Sequence, residues 1–334
     1  MDQNYIAGVD IGGTRIRVAI SSIDLKEESL VIKTISTPKE NRLSISSAVC
    51  RLIFELLDEN QVTKEQILGI GIATAGPLDI KTGEIFNNAN LGFREIPLKK
   101  PIQEKFPDIP LDFVNDCNGA VLGVHYFEAE KEEKDNLVYI TVSTGIGGGA
   151  IVNGRLLYGK DGNAVEVGHG LVEPKSVLQC NCGAYGCWEV YSSGTGVLKR
   201  TLEAIHEGSL NADILMKLVE NNTSKITAKE VFRAARKGDQ LSEMIVNQCI
   251  FYMKVGIGLV NNFYDCSSIY FGGAMMNDKD IILPPLIEQF EKNSIIFTIN
   301  RPPRLKVTKF GDEIGLRGAL VLAKYKLEQN SIVS

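Results

Sequence analysis

The sequence predicts an α/β protein of two domains that face a cleft. Three observations support this fold class. Apolar runs typical of strands alternate with stretches of helical periodicity, a strand, glycine turn and second strand occur together twice, and 334 residues exceed the usual size of a single core. The repeated pattern covers 5–20 and 137–157. The sequence therefore predicts two copies of the same strand arrangement, which we call the duplicated plan.

The other elements follow from periodicity along the chain. Apolar residues at helical spacing predict helices, and buried or alternating runs predict strands. The predicted helices cover 44–60, 119–131, 197–206, 228–237, 241–263 and 316–327, and the further strands cover 67–73, 112–115, 268–271 and 305–310. In such folds ligands gather where strands end, so the residues after each strand are the candidates for a site. The charged stretch 207–240 is interpreted as a local elaboration.

Composition excludes several classes of protein. Hydrophobic residues make up 44% and charged residues 23%, as in ordinary globular proteins. The net charge of -5 argues against a nucleic-acid partner, because phosphate binding depends on accumulated Lys and Arg. Without a leader or a long apolar run, we expect no membrane segment and a cytoplasmic location. The scattered Cys50, Cys117, Cys249 and Cys266 are expected to be buried thiols of a reducing compartment.

Four residues between 169 and 187 have the composition of a zinc site. His169, Cys180, Cys182 and Cys187 supply one imidazole and three thiolates, the set found in closed tetrahedral structural sites. The two glycines of the C-x-C-G-x-x-G-C pattern favour a tight turn. A disulfide is the alternative, but Cys180 and Cys182 are only two residues apart. The pattern predicts a structural Zn²⁺ with no ligand position left for catalysis.

The first glycine turn predicts a phosphate loop. Gly12 and Gly13 follow a strand and let backbone N–H groups approach a phosphate, and Thr14 adds a hydroxyl. Asp10 could hold Mg²⁺ directly or through water. A glycine hairpin without a ligand is the alternative interpretation.

Two later glycine segments are further nucleotide candidates. Thr144, Gly145 and Gly147 belong to a turn that formally fits the dinucleotide fingerprint, yet it is followed by strand-like residues instead of a helix. It is more typical of a hairpin that clamps a nucleotide. Gly272 and Gly273 follow a buried strand and could face the base and ribose, although a simple turn is the alternative.

Taken together, these motifs resemble the ROK family of sugar kinases and repressors. The resemblance rests on DIGGTRI from Asp10, GPLD from Gly76, Asn115 with Asp116, EVGH from Glu166, and C-x-C-G-x-x-G-C-x-E from Cys180. It implies the two-domain ATPase fold of actin, Hsp70 and hexokinase, with ATP and a hexose in the cleft. The implied domains are a small one, 1–114 plus 316–334, and a large one, 115–315.

The resemblance also implies the roles of individual residues. Asp116 matches the catalytic base, and its place beside a helix start favours the carboxylate form, although a plain helix cap is the alternative. The positions that match sugar contacts are Gly76, Asn90, Asn115, Asp116, Glu166, His169 and Glu189. Asn90 lies in flanking sequence that departs from the family pattern. His169 would bind both zinc and sugar, whereas His125 and His206 are expected to matter little.

The implied activity is ATP-dependent phosphorylation of a hexose, with glucose at its 6-hydroxyl as the first choice. ATP with Mg²⁺ and structural Zn²⁺ are the implied cofactors, and a homodimer serving glycolysis is the family expectation. Mannose, fructose, N-acetylglucosamine and N-acetylmannosamine remain alternative acceptors. A sugar-responsive repressor is disfavoured because the first strand begins near Tyr5 and leaves no room for a DNA-reading domain. A non-catalytic sugar sensor is disfavoured because Asp10, the glycine turns and Asp116 are all present.

Overall fold

A computed structural model describes residues 4–88, 91–208, 210–292 and 302–333. The strands are β1 (Tyr5–Ile11), β2 (Arg15–Ser22), β3 (Val31–Ser36), β4 (Ile67–Thr74), β5 (Leu78–Asp79), β6 (Glu84–Phe86), β7 (Glu95–Pro97), β8 (Leu111–Asn115), β9 (Leu137–Val142), β10 (Ile146–Val152), β11 (Arg155–Leu156), β12 (Ser268–Gly272) and β13 (Arg304–Val307). The α-helices are α1 (Ser44–Glu59), α2 (Lys99–Lys105), α3 (Asp116–Phe127), α4 (Trp188–Ser192), α5 (Gly194–Glu207), α6 (Asp213–Leu218), α7 (Ala228–Ala235), α8 (Gln240–Tyr264), α9 (Lys279–Lys292) and α10 (Ile314–Leu327). Asn90 lies outside the described residues.

The chain forms two compact units. The first unit comprises Met1–Tyr139, Gly149–Val165 and Thr308–Ser334, and the second comprises Ile140–Gly148 and Glu166–Val307. The division differs from the implied domain boundary at 114 and 115, because β8 pairs with β4 and leads directly into α3. Asn115 and Asp116 therefore belong to the first unit.

The sheet of the first unit brings three strand ends together. Its order is β3-β2-β1-β4-β8, with β1, β4 and β8 parallel to one another. Ile11 pairs with Thr74, and Thr74 pairs with Asn115. Because parallel strands end at the same edge of a sheet, the turn after β1, the loop after β4 and the start of α3 are neighbours.

Helix α10 packs on this sheet and on α3 through close backbone contacts. A Cβ atom on Gly71 of β4 would overlap the carbonyl oxygen of Ala319, and one on Gly318 would overlap the carbonyl oxygen of Gly119. The elements approach so closely that no side chain fits between them. This packing fixes the position of α3, whose first residue is Asp116.

A second five-stranded sheet repeats the strand order of the first. Its order is β11-β10-β9-β12-β13, with β10 and β11 antiparallel and β12 and β13 parallel. Strands β5, β6 and β7 form a separate antiparallel sheet. The repeated order confirms the predicted α/β class and the duplicated plan.

Helix α8 has the length and apolar composition of a membrane-spanning segment, the one helix of this kind in the described ranges. Half of its most apolar window is buried inside the protein, and it packs against α4, α5 and α7. A core helix of a globular domain has the same properties.

Most predicted elements are present, with three changes near the candidate site. Helix α3 begins at Asp116, three residues before the predicted start, and ends at Phe127. Strand β10 begins at Ile146, so the second glycine turn is shorter than predicted and Gly147 lies in the strand. Strand β13 ends at Val307 instead of residue 310.

Candidate active site

Asp10 lies at the sheet edge beside an arginine. The β1–β2 register places Asp10 opposite Arg17, whose Nη1 donates a hydrogen bond to Asp10 Oδ2 at 3.0 Å. Burial raises the pKa of Asp10 to about 6, Arg17 opposes the rise, and the negative charge of Asp116 adds to it. Asp10 and Asp116 therefore form an electrostatically linked acidic pair.

Asp116 is the first residue of α3, and Asn115 caps the helix. Asn115 Oδ1 accepts the Cys117 N–H at 2.9 Å, and Asp116 Oδ1 accepts the same N–H at 2.8 Å. Burial raises the pKa of Asp116 more than the Cys117 N–H lowers it. The helix start was expected to favour the carboxylate form, and the hydrogen bond from the Cys117 N–H does so. The net change in the pKa of Asp116 is nevertheless upward, because burial outweighs this hydrogen bond.

The first glycine turn is held by a threonine that sequence analysis did not single out. The Gly12 N–H donates to the Arg15 carbonyl at 2.9 Å and is used within the turn. Thr37 supports it twice, because its hydroxyl donates to the Gly12 carbonyl at 2.7 Å and its N–H donates to the Thr14 carbonyl at 3.0 Å. Of the predicted phosphate donors, the N–H groups of Gly13 and Thr14 are the better candidates.

The loop after β4 is fixed by two asparagines. The Gly76–Pro77 peptide bond is cis, and the Gly76 carbonyl accepts a hydrogen bond from Asn88 Nδ2 at 2.6 Å. Asn163 Oδ1 accepts the Leu78 N–H at 3.2 Å, and its Nδ2 donates to the Leu78 carbonyl at 3.0 Å. Sequence analysis missed Asn163, because no local pattern links it to a loop some 85 residues earlier.

The second unit brings the four predicted metal ligands together. One nitrogen of His169 and the three sulfur atoms of Cys180, Cys182 and Cys187 all lie within 4.8 Å of one another. Cys180 Sγ is 3.5 Å from His169 Nδ1, and Cys182 Sγ is 3.7 Å from Cys187 Sγ. Cys180 and Cys187 are buried, whereas His169 and Cys182 are exposed.

The turn between these cysteines depends on its glycines. The Cys180 N–H donates to the Ala184 carbonyl at 2.8 Å, and the Gly183 N–H donates back to the Cys180 carbonyl at 2.9 Å. Gly183 and Gly186 have φ of 92° and 75°, the left-handed region that side chains disfavour. The sequence thus closes the chain into a knuckle that gathers its sulfur atoms.

The donor set of the knuckle suits a soft divalent cation. Burial and the neighbouring thiols raise the pKa of Cys187 to about 12, and burial raises that of Cys180. Burial also opposes ionisation of Cys182, but the Ala184 N–H and the adjacent thiols lower its pKa on balance. Three thiols this close ionise together only when a cation compensates their charge.

The carboxylates on either side of the knuckle occupy different surroundings. Glu166 is exposed, and its carbonyl accepts the His169 N–H at 3.1 Å within a short 3₁₀ turn. Glu189 lies in the first turn of α4, and its Oε2 accepts the Ile146 N–H at 2.9 Å. Glu189 is therefore tied to the second glycine turn.

The second unit also contains a cavity of about 730 Å³. Thr144 of the glycine turn lines it, as do Thr195 and the 3₁₀ segment Ala274–Asp278 that follows Gly273. Helix α7 forms another wall through Lys229 and Arg233. Helix α7 lies within the stretch 207–240 that was interpreted as a local elaboration, and it faces the cavity.

An ion-pair cluster joins two walls of the cavity. Arg236 follows α7, and its Nη1 lies 2.6 Å from Asp278 Oδ1. Its Nη2 lies 2.7 Å from Asp280 Oδ1 at the start of α9. The cavity has the size of known ligand sites, which span roughly 300–1,000 Å³.

The protein has two sheets with the same strand order, an acidic pair at the ends of parallel strands, and a ligand-sized cavity in the second unit. It is therefore an ATPase-type α/β protein of the actin, Hsp70 and hexokinase class. Residues 6–326 match the ROK family, and the chain belongs to this family. The resemblance inferred from the motifs is thereby confirmed.

Known relatives include kinases and regulators. The glucokinase of Halalkalibacterium halodurans is 29% identical over 99% of this chain and 98% of its own length. The crystal structure of a Streptomyces griseus ROK glucokinase in complex with glucose and AMPPNP superposes with a TM-score of 0.76 at 28% identity, over 96% of this chain and 99% of that one. The xylose repressor of Caldicellulosiruptor bescii is 26% identical over 96% of this chain and 78% of its own length.

Proposed function

We propose that this protein transfers the terminal phosphoryl group of ATP to a hexose, with the 6-hydroxyl of glucose as the acceptor. Family membership and the similarity to glucokinases support a sugar kinase. The observation that carries the proposal is the position of Asp116, which begins α3 at the sheet edge shared with Asp10. A base at this edge can accept the proton of the attacking hydroxyl.

Phosphoryl transfer asks mainly for positioning and for compensation of charge. Asp116 has a raised pKa, which brings a carboxylate closer to the range in which a base works best. Asp10 would hold Mg²⁺, directly or through water, and Mg²⁺ would compensate phosphate charge. Gly13 and Thr14 would donate N–H groups to the phosphates, and Gly12 would shape their turn.

ATP would occupy the cavity of the second unit. Thr144 lines that cavity, and Gly145 follows it in the turn, so this segment would contact the phosphates. Gly272 and Gly273 precede the 3₁₀ wall and would lie against the nucleoside. Gly147 would support the turn from inside β10.

The proposed sugar contacts are the positions that match the sugar-contacting residues of the family. In the first unit, Gly76, Asn115 and Asp116 are the described candidates, and Asn90 remains a candidate outside the described residues. In the second unit, Glu166, His169 and Glu189 are the candidates. His169 Nδ1 faces Cys180, so its other ring nitrogen is the one suited to a sugar hydroxyl.

We further propose that the knuckle holds a structural Zn²⁺. Tetrahedral zinc with Zn–S distances of about 2.3 Å places its sulfur ligands about 3.8 Å apart. The separation of 3.7 Å between Cys182 Sγ and Cys187 Sγ supports this assignment. All four positions would be filled by protein ligands, so the ion would order the knuckle and leave the proton chemistry to Asp116.

The test of the function is an ATP-coupled assay of the purified protein and its Asp116→Asn variant. Glucose, mannose, fructose, N-acetylglucosamine and N-acetylmannosamine are compared as acceptors. We expect glucose to be phosphorylated fastest and the variant to lose at least about 100-fold in kcat while it still binds glucose in calorimetry. Asp112→Asn, a change in the preceding strand, is the matched control and should retain activity.

A variant with near wild-type turnover would contradict the role of Asp116. Wild-type protein that binds glucose but does not consume ATP would favour the sugar-sensing alternative, which the similarity to the xylose repressor keeps in view. We also propose that the protein is a homodimer, that it is located in the cytoplasm and that it serves glycolysis. Light scattering of the purified protein tests the first of these.

A further inference from the structure

Glu189 contacts two features that the proposed function treats separately, the phosphate turn and the metal knuckle. Its Oε2 accepts the Ile146 N–H at 2.9 Å. A Cβ atom on Gly145 would overlap the same oxygen, so the carboxylate lies directly against the turn that contributes Thr144 to the nucleotide cavity.

The other carboxylate oxygen faces the knuckle. Cys180 Sγ donates a long hydrogen bond to Glu189 Oε1 at 3.8 Å. Cys187 lies two residues before Glu189, and the intervening Trp188 N–H donates to the Gly170 carbonyl at 2.9 Å. Two of the four candidate metal ligands thus restrain Glu189, one by a side-chain contact and one along the chain.

The start of α5 completes the connection. The Ser193 N–H donates to the Glu189 carbonyl at 3.1 Å, which ties the end of α4 to its beginning. The next two N–H groups, of Gly194 and Thr195, donate to the carbonyls of Ser143 and Thr144 at 2.7 and 3.3 Å. The donors at this helix start are used on the turn, so they position it and are not available to an anion.

We propose that Glu189 is a positioning residue that couples metal binding at the knuckle to nucleotide binding at the 143–146 turn. The inference rests on the proposed function, because it takes the turn as the ATP phosphate site. Metal binding would order the chain from Cys180 to Cys187 and remove the Cys180 thiol proton, so the Ile146 N–H would become the donor that holds the Glu189 carboxylate. By thermodynamic linkage, metal and nucleotide then strengthen each other's binding by the same factor.

The first experiment measures zinc affinity of the wild-type protein by chelator competition, with and without saturating AMPPNP and in the absence of glucose. We expect AMPPNP to tighten zinc binding about 10-fold, within the range usual for coupled sites. Zinc-loaded Glu189→Ala should bind AMPPNP about 10-fold more weakly than wild type by calorimetry and lose the linkage. Glu189→Gln keeps an acceptor for the Ile146 N–H and should restore most of the affinity.

Gly145→Ala tests the same contact from the other side, because its new methyl group displaces the carboxylate without removing it. Glu166→Ala is the matched control, since it removes a proposed sugar ligand that has no role in the linkage. Equal zinc affinity with and without AMPPNP would overturn the inference, whether or not the variants fold. Failure of wild-type protein to bind AMPPNP would overturn the proposed function as well.

Discussion

At the scale of single residues, the candidate site holds charges that the folded protein does not favour. Asp10 and Asp116 both have raised pKa values because burial removes them from water. Their ionised forms at neutral pH therefore oppose stability, as is common where carboxylates serve catalysis. Arg17 relieves part of this cost for Asp10.

The knuckle gives the sharpest prediction at this scale. Cys182→Ser should abolish stoichiometric zinc binding, because serine replaces one of four converging ligands with a hydroxyl that remains protonated. Elemental analysis of purified protein measures the zinc content, and the variant should also unfold at a lower temperature. Cys266→Ser, a change of a buried thiol outside the cluster, should retain zinc. Unchanged zinc in the first variant would rule out this site.

At the scale of elements, the position of the proposed catalytic residue, Asp116, depends on helix packing. Helix α3 is held against α10, where Gly318 faces the backbone of Gly119. Helix α7 is held against the segment that ends at Asp278 by Arg236. Both contacts lie outside the predicted motifs, and they position groups to which the proposed function gives a role.

Gly318→Ala should destabilise the first unit by about 3 kcal/mol, because the added methyl group forces the two helices apart. Urea denaturation measures the change in the free energy of unfolding. Gly69→Ala is a suitable control in β4, where the new Cβ would lie 3.4 Å from the nearest atom, the Cδ1 of Leu327. Equal stability of the two variants would show that α3 and α10 can separate freely.

Arg236→Ala should weaken ATP binding without changing the chemical step. The substitution removes the ion pairs with Asp278 and Asp280 that join the end of α7 to the 3₁₀ wall and to α9, so this side of the cavity is held less firmly. We expect KM for ATP to rise roughly 3- to 10-fold, which corresponds to about 1 kcal/mol, at nearly constant kcat. Steady-state kinetics measure both constants. A fall in kcat with constant KM would place Arg236 in the reaction itself.

At the scale of the whole molecule, a histidine that sequence analysis set aside makes stability depend on pH. His125 is 5% exposed, and its Nδ1 lies 3.0 Å from the Tyr325 hydroxyl in the contact between α3 and α10. Burial lowers the pKa of His125 from 6.5 to about 4. Between these values the unfolded chain binds a proton that the folded protein does not, so stability falls as the pH falls.

The free energy of unfolding should therefore decrease by about 2 kcal/mol between pH 7 and pH 5 through His125 alone. His125→Gln keeps a hydrogen-bonding side chain and removes the titration. Urea denaturation at both pH values should show a loss smaller by about that amount in the variant. The same loss in both proteins would contradict the assignment to His125.

The fold was predictable where the signal is local. Buried strands such as β4 and the repeated hairpins follow from apolar runs and glycine turns. Strands β3 and β5 to β7 were missed because they are short or partly exposed, and α9 was missed because it contains Pro284 and Pro285. These segments are stabilised by packing against other elements, and this packing leaves no periodic pattern in the sequence.

The candidate site was also predictable where its residues lie close together in the sequence. The four candidate metal ligands cluster in sequence and were found together. Arg17 could have been inferred, because a hairpin closed at Gly12 places it opposite Asp10. Thr37 and Asn163 could not have been inferred, since only folding brings each of them to a loop that is distant in the sequence. The net pKa shift of Asp116 also needed the structure, because burial decides it.

The packing of α10 has a consequence for synthesis on the ribosome. Strands β1, β4 and β8 are complete at Asn115, but the helix that covers them begins at Ile314, 199 residues later. At about 5–20 residues per second, the interval lasts roughly 10–40 s. During that time the apolar face of the sheet is not yet covered by α10. A nascent chain of this kind is a natural client for a chaperone that shields the exposed face until translation ends.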